Sequence, residues 1–378
     1  LKQELATTKD ALERAEIDDA RWCHRREHRV GTGEVNRFVL DRGHDHPLAP
    51  RPAQRLIVGL GAAAGEDDAR GLRAGDPGHG LASIGQRAGR AGRTKPGKCF
   101  RLLTAWAFEN ELEPNNIPEI QRTNLGNVVL MLKSLGIDDL IHFDFMDPPP
   151  VEAITKALEQ LYALGALNDR GQLTKLGRRM AEFPLDPQLA KAIIAGAEYG
   201  VVSELVTIAA MLSSGNAVFF RPKDKILHAD AAHKAFHKDG GDHLMLLAVY
   251  NEWAAAGYSK NWCKESFVQY RTMCRARDIR DQLLHLLDRV EIPLNEVETG
   301  DEVAIRKAVT AGFFFNTARL SRTGGSYKTV KHQLGVSIHP QSCLNEKLPR
   351  WVVYFELVFT SREFMRQVIE IDPGWLTQ

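Results

Sequence analysis

Leu158–Lys191 reads LEQLYALGALNDRGQLTKLGRRMAEFPLDPQLAK, and its punctuation decides the architecture. Ile154, Leu158, Leu161 and Leu164 recur at helical spacing, so Val151–Leu164 is predicted to be an amphipathic helix. Asn168-Asp169-Arg170-Gly171 is a turn, and Gln172–Leu173 begins a short extended piece. Thr174 then caps a helix through Met180 that stops before Pro184. Upstream, Pro118–Leu135 carries Leu125, Val128, Val129, Leu132 and Leu135 on one helical face, and Gly136 supplies the stop. Helix, helix, turn, strand and helix in this order predict a winged-helix module.

Downstream, the period stays helical. Asp186-Pro187 joins an N-cap to an N1 proline and opens a helix to Gly200. Ser203-Glu204 opens another through Leu212, and Asp242 a third through Ala255 after the Gly240-Gly241 break. Trp262–Met273 and Arg275–Val290 complete an all-helical module of about five helices. After Pro293 the period changes to two. Phe313–Leu320, Ser326–Lys331, Val336–His339 and Trp351–Thr360 read as strands, and their short turns suggest a small barrel of the OB type.

The 49 Lys+Arg against 48 Asp+Glu exclude a globally basic nucleic-acid binder and leave room for a local basic surface. No apolar run reaches the length of a membrane span, so no membrane partner is expected. The opening LKQELATTKD lacks a signal-peptide core, which points to a reducing compartment. Cys23, Cys99, Cys263, Cys274 and Cys343 are widely spaced without a C-x-x-C pair, so neither a disulfide framework nor a zinc site is expected. Residues 1–80 differ from the rest. They hold 10 glycines and only two aromatics, Trp22 and Phe38, and beyond a short helix over Lys2–Ala15 show no sustained pattern. That composition offers little apolar surface to offset chain entropy. The segment is left unassigned: either a disordered, flexible arm or a stretch not native to the fold, such as a mispredicted exon or a shifted reading frame.

Chemistry concentrates in Gln86-Arg87-Ala88-Gly89-Arg90-Ala91-Gly92-Arg93. Small residues allow close backbone approach, and guanidinium groups bind phosphate through paired N–H donors without losing charge. A solvated basic loop is the alternative, but the apolar strand expected at Cys99–Leu103 argues for a packed core behind the motif. Gly92-Arg93-Thr94-Lys95-Pro96-Gly97-Lys98 imitates a P-loop, yet the next residue is Cys99, so the magnesium-ligating hydroxyl is missing.

QRAGRAGRTKPGKCFRLLT resembles motif VI of the DEAH-box RNA helicases with the last strand of their second RecA-like domain. IPEIQRTNLGNVVLMLKSLGIDDLIHFDFMDPPP, the Leu158–Lys191 stretch, GGDHL and RWVVYFELVFTSREFMRQV continue the likeness in register over residues 81–378. GLASIGQRAGR, YALGALN, FRPKDKILHAD and EFMRQVIEI are most similar to the spliceosomal members acting before the first splicing step. The resemblance implies a multidomain α+β chain: 1–80 unassigned, 81–104 the end of a RecA-like α/β domain, 105–184 a winged helix, 185–295 a helical-bundle ratchet domain, 296–378 an OB-fold barrel. It implies an ATP-driven, nuclear RNA helicase using ATP and Mg2+, with spliceosomal proteins and a G-patch activator as partners. Arg90 and Arg93 would contact the β/γ-phosphates and Gln86 would orient the attacking water; Arg87 would serve that site or domain contacts. The family's P-loop, D-E-A-H box and upstream β-hairpin have no counterpart in residues 1–80, so this chain is expected to be inactive alone and to bind no nucleotide tightly.

Val303–Asn345 contains no Asp or Glu and carries Arg306, Lys307, Arg319, Arg322, Lys328 and Lys331 among Phe313, Phe314, Phe315 and Tyr327. Cations beside flat rings suit single-stranded RNA, and Arg319, Arg322, Lys328 and Lys331 are the candidate contacts. The phenylalanines are expected in the barrel core. Asp242-His243 is read as a helix N-cap with an exposed histidine rather than an acid–base pair, and Asp144, Asp147 and Pro148–Pro150 as a rigid linker. Two other readings stay open. One is a non-enzymatic RNA- or protein-binding remnant of such a helicase. The other is a winged-helix DNA-binding regulator, weakened because Pro118–Leu135 offers only Arg122 and Lys133.

Overall fold

The computed structural model describes residues 80–90, 99, 104–215, 217–294, 300–321, 324–360 and 362–377, without the side chains at 87, 105 and 377. The readings for residues 1–79, and for the strand at Cys99–Leu103 beyond Cys99 itself, lie outside the described residues. The chain divides into two compact units, 1–123 with 145–149, and 124–144 with 150–378.

In the first unit, α1 (Leu81–Arg90) starts from a buried Gly80. The N–H groups of Leu81 and Ala82 donate to the carbonyls of Glu113 and Pro114 at 2.9 and 3.1 Å, so distant chain satisfies two first-turn donors. A side chain at Gly80 would collide with the backbone of Asn115 and Asn116. Thr104 caps α2 (Ala105–Asn110) by accepting from the Ala107 N–H. Glu119–Gln121 is a single 3-10 turn, and Gln121 Nε2 donates to the Pro148 carbonyl at 3.1 Å.

Pro118–Leu135 is therefore not one helix. Asn124 Oδ1 accepts from the Gly126 N–H at 2.7 Å, a local bond that competes with helical pairing, and α3 spans only Gly126–Ser134. Its buried side is Leu125, Val129 and Leu130, while Val128 and Leu135 face solvent. Gly136 does end it, with φ +85°.

In the second unit, α3 packs on α4 (Val151–Ala163), the Leu167–Leu173 bridge makes a minimal wing, and α5 (Lys175–Ala181) follows. Asn168 Oδ1 shapes the turn by accepting from the N–H groups of Arg170 and Gln172 at 3.0 and 2.9 Å. Thr174 caps α5 through the Gly177 N–H at 3.0 Å. Helix α6 (Pro187–Tyr199) is capped by Asp186 and closed by Gly200 at φ +67°. The helical module continues with α7 (Val202–Ser213), α8 (Ile226–Ala235), α9 (Asp242–Ala255), α10 (Lys260–Glu265) and α11 (Tyr270–Arg289). Helix α8 was not anticipated. The expected break after Met273 falls instead at Ser266–Gln269, where Val268 leaves helical geometry to bridge Phe219 and Phe267 takes φ +53°.

The largest departure is α12 (Glu302–Phe313), a helix where a period of two was expected after Pro293; of the strand expected over Phe313–Leu320, only Thr317–Leu320 forms. Asp301 Oδ1 accepts from the N–H groups of Val303 and Ala304 and nucleates it. Ala304, Ile305, Ala308, Val309 and Gly312 form its buried face, and α12 packs along α6. At Gly312 a Cβ would lie 2.3 Å from the Gln188 carbonyl oxygen, so glycine sets how closely the two helices approach. Phe313 is buried beside Phe355, whereas Phe314 and Phe315 are half-buried in a 3-10 turn.

Strands β1 (Thr317–Leu320), β2 (Tyr327–Thr329), β3 (Gly335–Ile338), β4 (Trp351–Phe359) and β5 (Glu363–Glu370) close a barrel in the order β1-β2-β3-β5-β4. All pairs are antiparallel except β3 with β5. Strand β5 is not among the strands expected from the sequence. Tyr327, Val336, Ile338, Val352, Met365 and Val368 fill the interior, and the buried Tyr327 hydroxyl donates to the Pro349 carbonyl at 2.7 Å. The whole is the expected multidomain α+β arrangement of winged helix, helical bundle and OB-type barrel.

The Gly240–His243 segment joins bundle to barrel. The Glu370 N–H donates to the Gly240 carbonyl at 3.0 Å. Asp242 is 4% exposed, and its carboxylate accepts from the N–H groups of Cys343 at 2.9 Å and Val368 at 2.8 Å. The N-cap of α9 is Gly241, so the reading of Asp242 as a cap with an exposed His243 is corrected. His243 is 1% exposed, and burial lowers its pKa to about 4. A Cβ on Gly241 would lie 2.5 Å from the Val368 carbonyl oxygen, at φ +128°.

Candidate nucleic-acid interface

Strand alternation in β1 and β2 sends Ala318, Tyr327 and Thr329 inward and leaves Arg319 and Lys328 outside. The register aligns them. Arg319 lies opposite Lys328 on one side and Trp351 on the other, and Lys328 lies opposite Gly335. A ladder of Gly335, Lys328, Arg319 and Trp351 thus crosses the outside of four-fifths of the barrel's strand order, from β3 through β2 and β1 to β4. The space where a Gly335 side chain would sit is open. Like charges directly opposed across strands cost a few tenths of a kcal/mol or more. Neither Arg319 nor Lys328 has a carboxylate partner among the described residues to offset that cost. An anion on this face would.

Rings accompany the cations. The Arg319 guanidinium lies 5.3 Å from the Trp351 ring, and Lys331 Nζ lies 4.2 Å from the Phe315 ring. A positively charged face with accessible aromatic surface can track a phosphate backbone and stack bases. The turn between β1 and β2 carries Gly324 and Gly325, both at φ +75°. Arg322 in that turn lies outside the described residues.

Not every cation of the acid-free stretch is free for a ligand. Arg306 Nε donates to the Glu370 carbonyl at 2.7 Å, and its guanidinium lies 5.3 Å from the Trp375 ring. His339 adds little charge, because burial first and Arg366 second hold its pKa below the ordinary imidazole value. Sequence reasoning missed Trp351 as a companion of the cations, and it put Phe315, interleaved with them, in the barrel core. The Trp351 pairing depends on β4 returning beside β1, which no local pattern reveals.

The nucleotide candidates belong to the first unit. Gln86 and Arg90 are exposed on α1, one helical turn from each other, the Arg87 side chain is not described, and Arg93 lies outside the described residues. No cluster of three or more potential metal ligands occurs among the described residues. Two exposed side chains on one helix do not by themselves form a triphosphate cradle. No helix among the described residues is long and apolar enough to cross a membrane. In the winged helix, Lys133 is 9% exposed and donates to the Asp138 carbonyl at 2.9 Å, which removes one of the two cations a DNA-reading helix there would need.

Comparison with protein families gives three matches. The winged-helix part of the helicase associated domain (HA2) matches residues 157–185. The ratchet-like part of the same domain matches residues 186–246. An oligonucleotide/oligosaccharide-binding (OB)-fold model matches residues 305–378. Together, in this order, these modules place the chain in the C-terminal region of DEAH/RHA-type helicases.

Proposed function

We propose that this is the C-terminal portion of an ATP-dependent DEAH-box RNA helicase that remodels RNA–protein complexes during pre-mRNA splicing in the nucleus, and that its barrel holds single-stranded RNA. The unpaired, opposed cations Arg319 and Lys328 carry the RNA reading, because their arrangement is unfavourable until a phosphate lies over them. Lys331 beside Phe315 extends the track, and Arg322 would extend it along the turn. The splicing assignment is supported by the GLASIGQRAGR, YALGALN, FRPKDKILHAD and EFMRQVIEI stretches. Spliceosomal proteins and a G-patch activator are the corresponding partners.

In an intact relative, Gln86, Arg90 and Arg93 would complete a nucleotide site whose P-loop and Mg2+ ligands come from a first RecA-like domain. The 378 residues contain neither a P-loop with its hydroxyl nor a D-E-A-H sequence. The chain alone is therefore proposed to be an RNA-binding body without ATPase activity.

Anisotropy of a labelled single-stranded RNA at low salt tests the RNA reading. Arg319→Ala with Lys328→Ala should weaken binding about tenfold, alike for U-, A- and C-rich strands, because phosphate contacts carry no base information. Wild-type affinity in the double variant would sink it.

A further inference from the structure

At the Trp351 end of the ladder an open depression of about 390 Å³ is lined by Arg306, Arg350, Trp351, Glu370, Asp372 and Trp375. Its size is that of a small-ligand site, and the backbone-tracking role of the barrel face makes no use of it. The lining combines two indoles, two guanidinium groups and two carboxylates.

Their bonding differs in an informative way. Arg306 is committed to the fold through the Glu370 carbonyl at 2.7 Å, with its Nη2 3.8 Å from Glu370 Oε2. Lys347 Nζ reaches the same Oε2 at 3.3 Å. Both cations thus gather on one oxygen, and Glu370 Oε1 has no partner among the described residues. Asp372 Oδ1 accepts from the Gly374 N–H at 2.7 Å, which turns the chain so that Trp375 returns to the wall of the depression. Arg350 is exposed; its carbonyl accepts from the Leu320 N–H, while its guanidinium has no partner among the described residues. The Trp375 ring has Arg306 at 5.3 Å and Lys307 at 6.0 Å.

A flat heteroaromatic ring suits indole walls. A carboxylate at the wall selects among such rings by their edges. Guanine presents two adjacent donors, N1–H and the 2-amino group, to a carboxylate. Adenine and cytosine each set a lone pair beside their amino group, and uracil sets its one N–H between two carbonyls; each of these repels the second carboxylate oxygen. A free guanidinium at the rim then matches the phosphate. We propose that this depression is a guanine-nucleotide subsite, with Trp351 and Trp375 as stacking walls, Glu370 reading the base edge and Arg350 taking the phosphate. It goes beyond the charge-driven reading of the barrel face, which is blind to base identity. The guanine can come from a free nucleotide or from a residue of an RNA strand.

The test uses the full chain and fluorescent mant-GMP, displaced by unlabelled GMP, AMP, CMP, UMP and guanosine. GMP should displace the probe at a concentration about tenfold lower than AMP, the discrimination of one good bidentate base contact. Trp375→Ala should raise the GMP concentration needed by about fivefold or more, as loss of one stacking wall requires. Arg350→Ala should weaken GMP but not guanosine. Glu370→Gln should bring GMP and AMP close to parity, with its thermal midpoint measured alongside because Glu370 also anchors Arg306 and Lys347. Equal displacement by GMP and AMP in the wild type overturns the proposal, as does the absence of saturable mant-GMP binding below about 5 mM. Wild-type behaviour of both Trp375→Ala and Arg350→Ala overturns it as well. A U10 strand and a U10 strand carrying one central guanosine assign the source. Tighter binding of the second marks an RNA residue, and equal binding with GMP selectivity intact marks a free nucleotide. The mononucleotide arm does not depend on Arg319 and Lys328, so its failure is separable from failure of the RNA reading.

Discussion

Replacing Asp242 with alanine removes the carboxylate that joins the helical bundle to the barrel. Its two acceptor bonds, from Cys343 N–H at 2.9 Å and Val368 N–H at 2.8 Å, are charge-assisted. Bonds of this kind contribute about 1.5–3 kcal/mol each. Val368 is fully buried, so its N–H finds no water when the acceptor leaves, and its bond belongs at the upper end. Cys343 is half-buried, so water replaces part of its bond. Alanine also relieves the cost of burying the carboxylate itself, which lowers the sum. The net expectation is a loss of about 2–4 kcal/mol, with asparagine close behind because its amide keeps one acceptor and sets a donor against the second N–H. Urea unfolding gives the magnitude, and hydrogen exchange at the Val368 amide gives the place. A change within about 0.5 kcal/mol, the range of an ordinary surface substitution, together with an undiminished Val368 protection, would refute the strap.

His243 predicts a pH dependence. Its folded pKa of about 4 lies below the unfolded value of 6.5, so above pH 6.5 the ring is neutral in both states and adds no pH dependence. As pH falls from 6.5 to 4 the unfolded chain takes a proton that the fold refuses, and stability should fall by about 3 kcal/mol. Unfolding curves of His243→Leu should lack that part of the loss, and an unchanged profile would contradict the burial. Gly241→Ala should cost about 3 kcal/mol or more, from a strained φ and an overlap with Val368, measured as a fall in thermal midpoint; a near-wild-type midpoint would show that the junction yields. Phosphate release from ATP by the 378-residue chain should stay at background, and a steady rate abolished by Arg90→Ala would reverse that expectation.

Where local chemistry decides local structure, the sequence was readable. Asp186-Pro187, Thr174 and Gly136 cap or stop the helices expected of them, because each acts on backbone within three residues. The failures are tertiary. The expected strand Phe313–Leu320 starts only at Thr317, because Asp301 and the apolar spacing of Ala304, Ile305, Ala308 and Val309 specify a helix through Phe313 that needs α6 to lie against. Asp242 offers the side chain of a helix cap, but its partners lie 101 and 126 residues away. On the barrel, the cations and their freedom from acidic neighbours were visible. That Arg319 and Lys328 stand opposite each other, and that Arg306 is tied to Glu370, depends on register and closure. Arg322 and Arg93 lie outside the described residues, so their placement adds nothing to either account.

The salt dependence of single-stranded RNA binding tests the central claim most directly. If Arg319, Lys328 and Lys331 each meet a phosphate, log K against log salt should fall with a slope of about −2 or steeper, at roughly −0.7 per contact. Arg319→Ala with Lys328→Ala should make that slope shallower by about 1.4, the share of two contacts. A wild-type slope near zero, or one that the double substitution leaves unchanged, would contradict the assignment of this face to RNA.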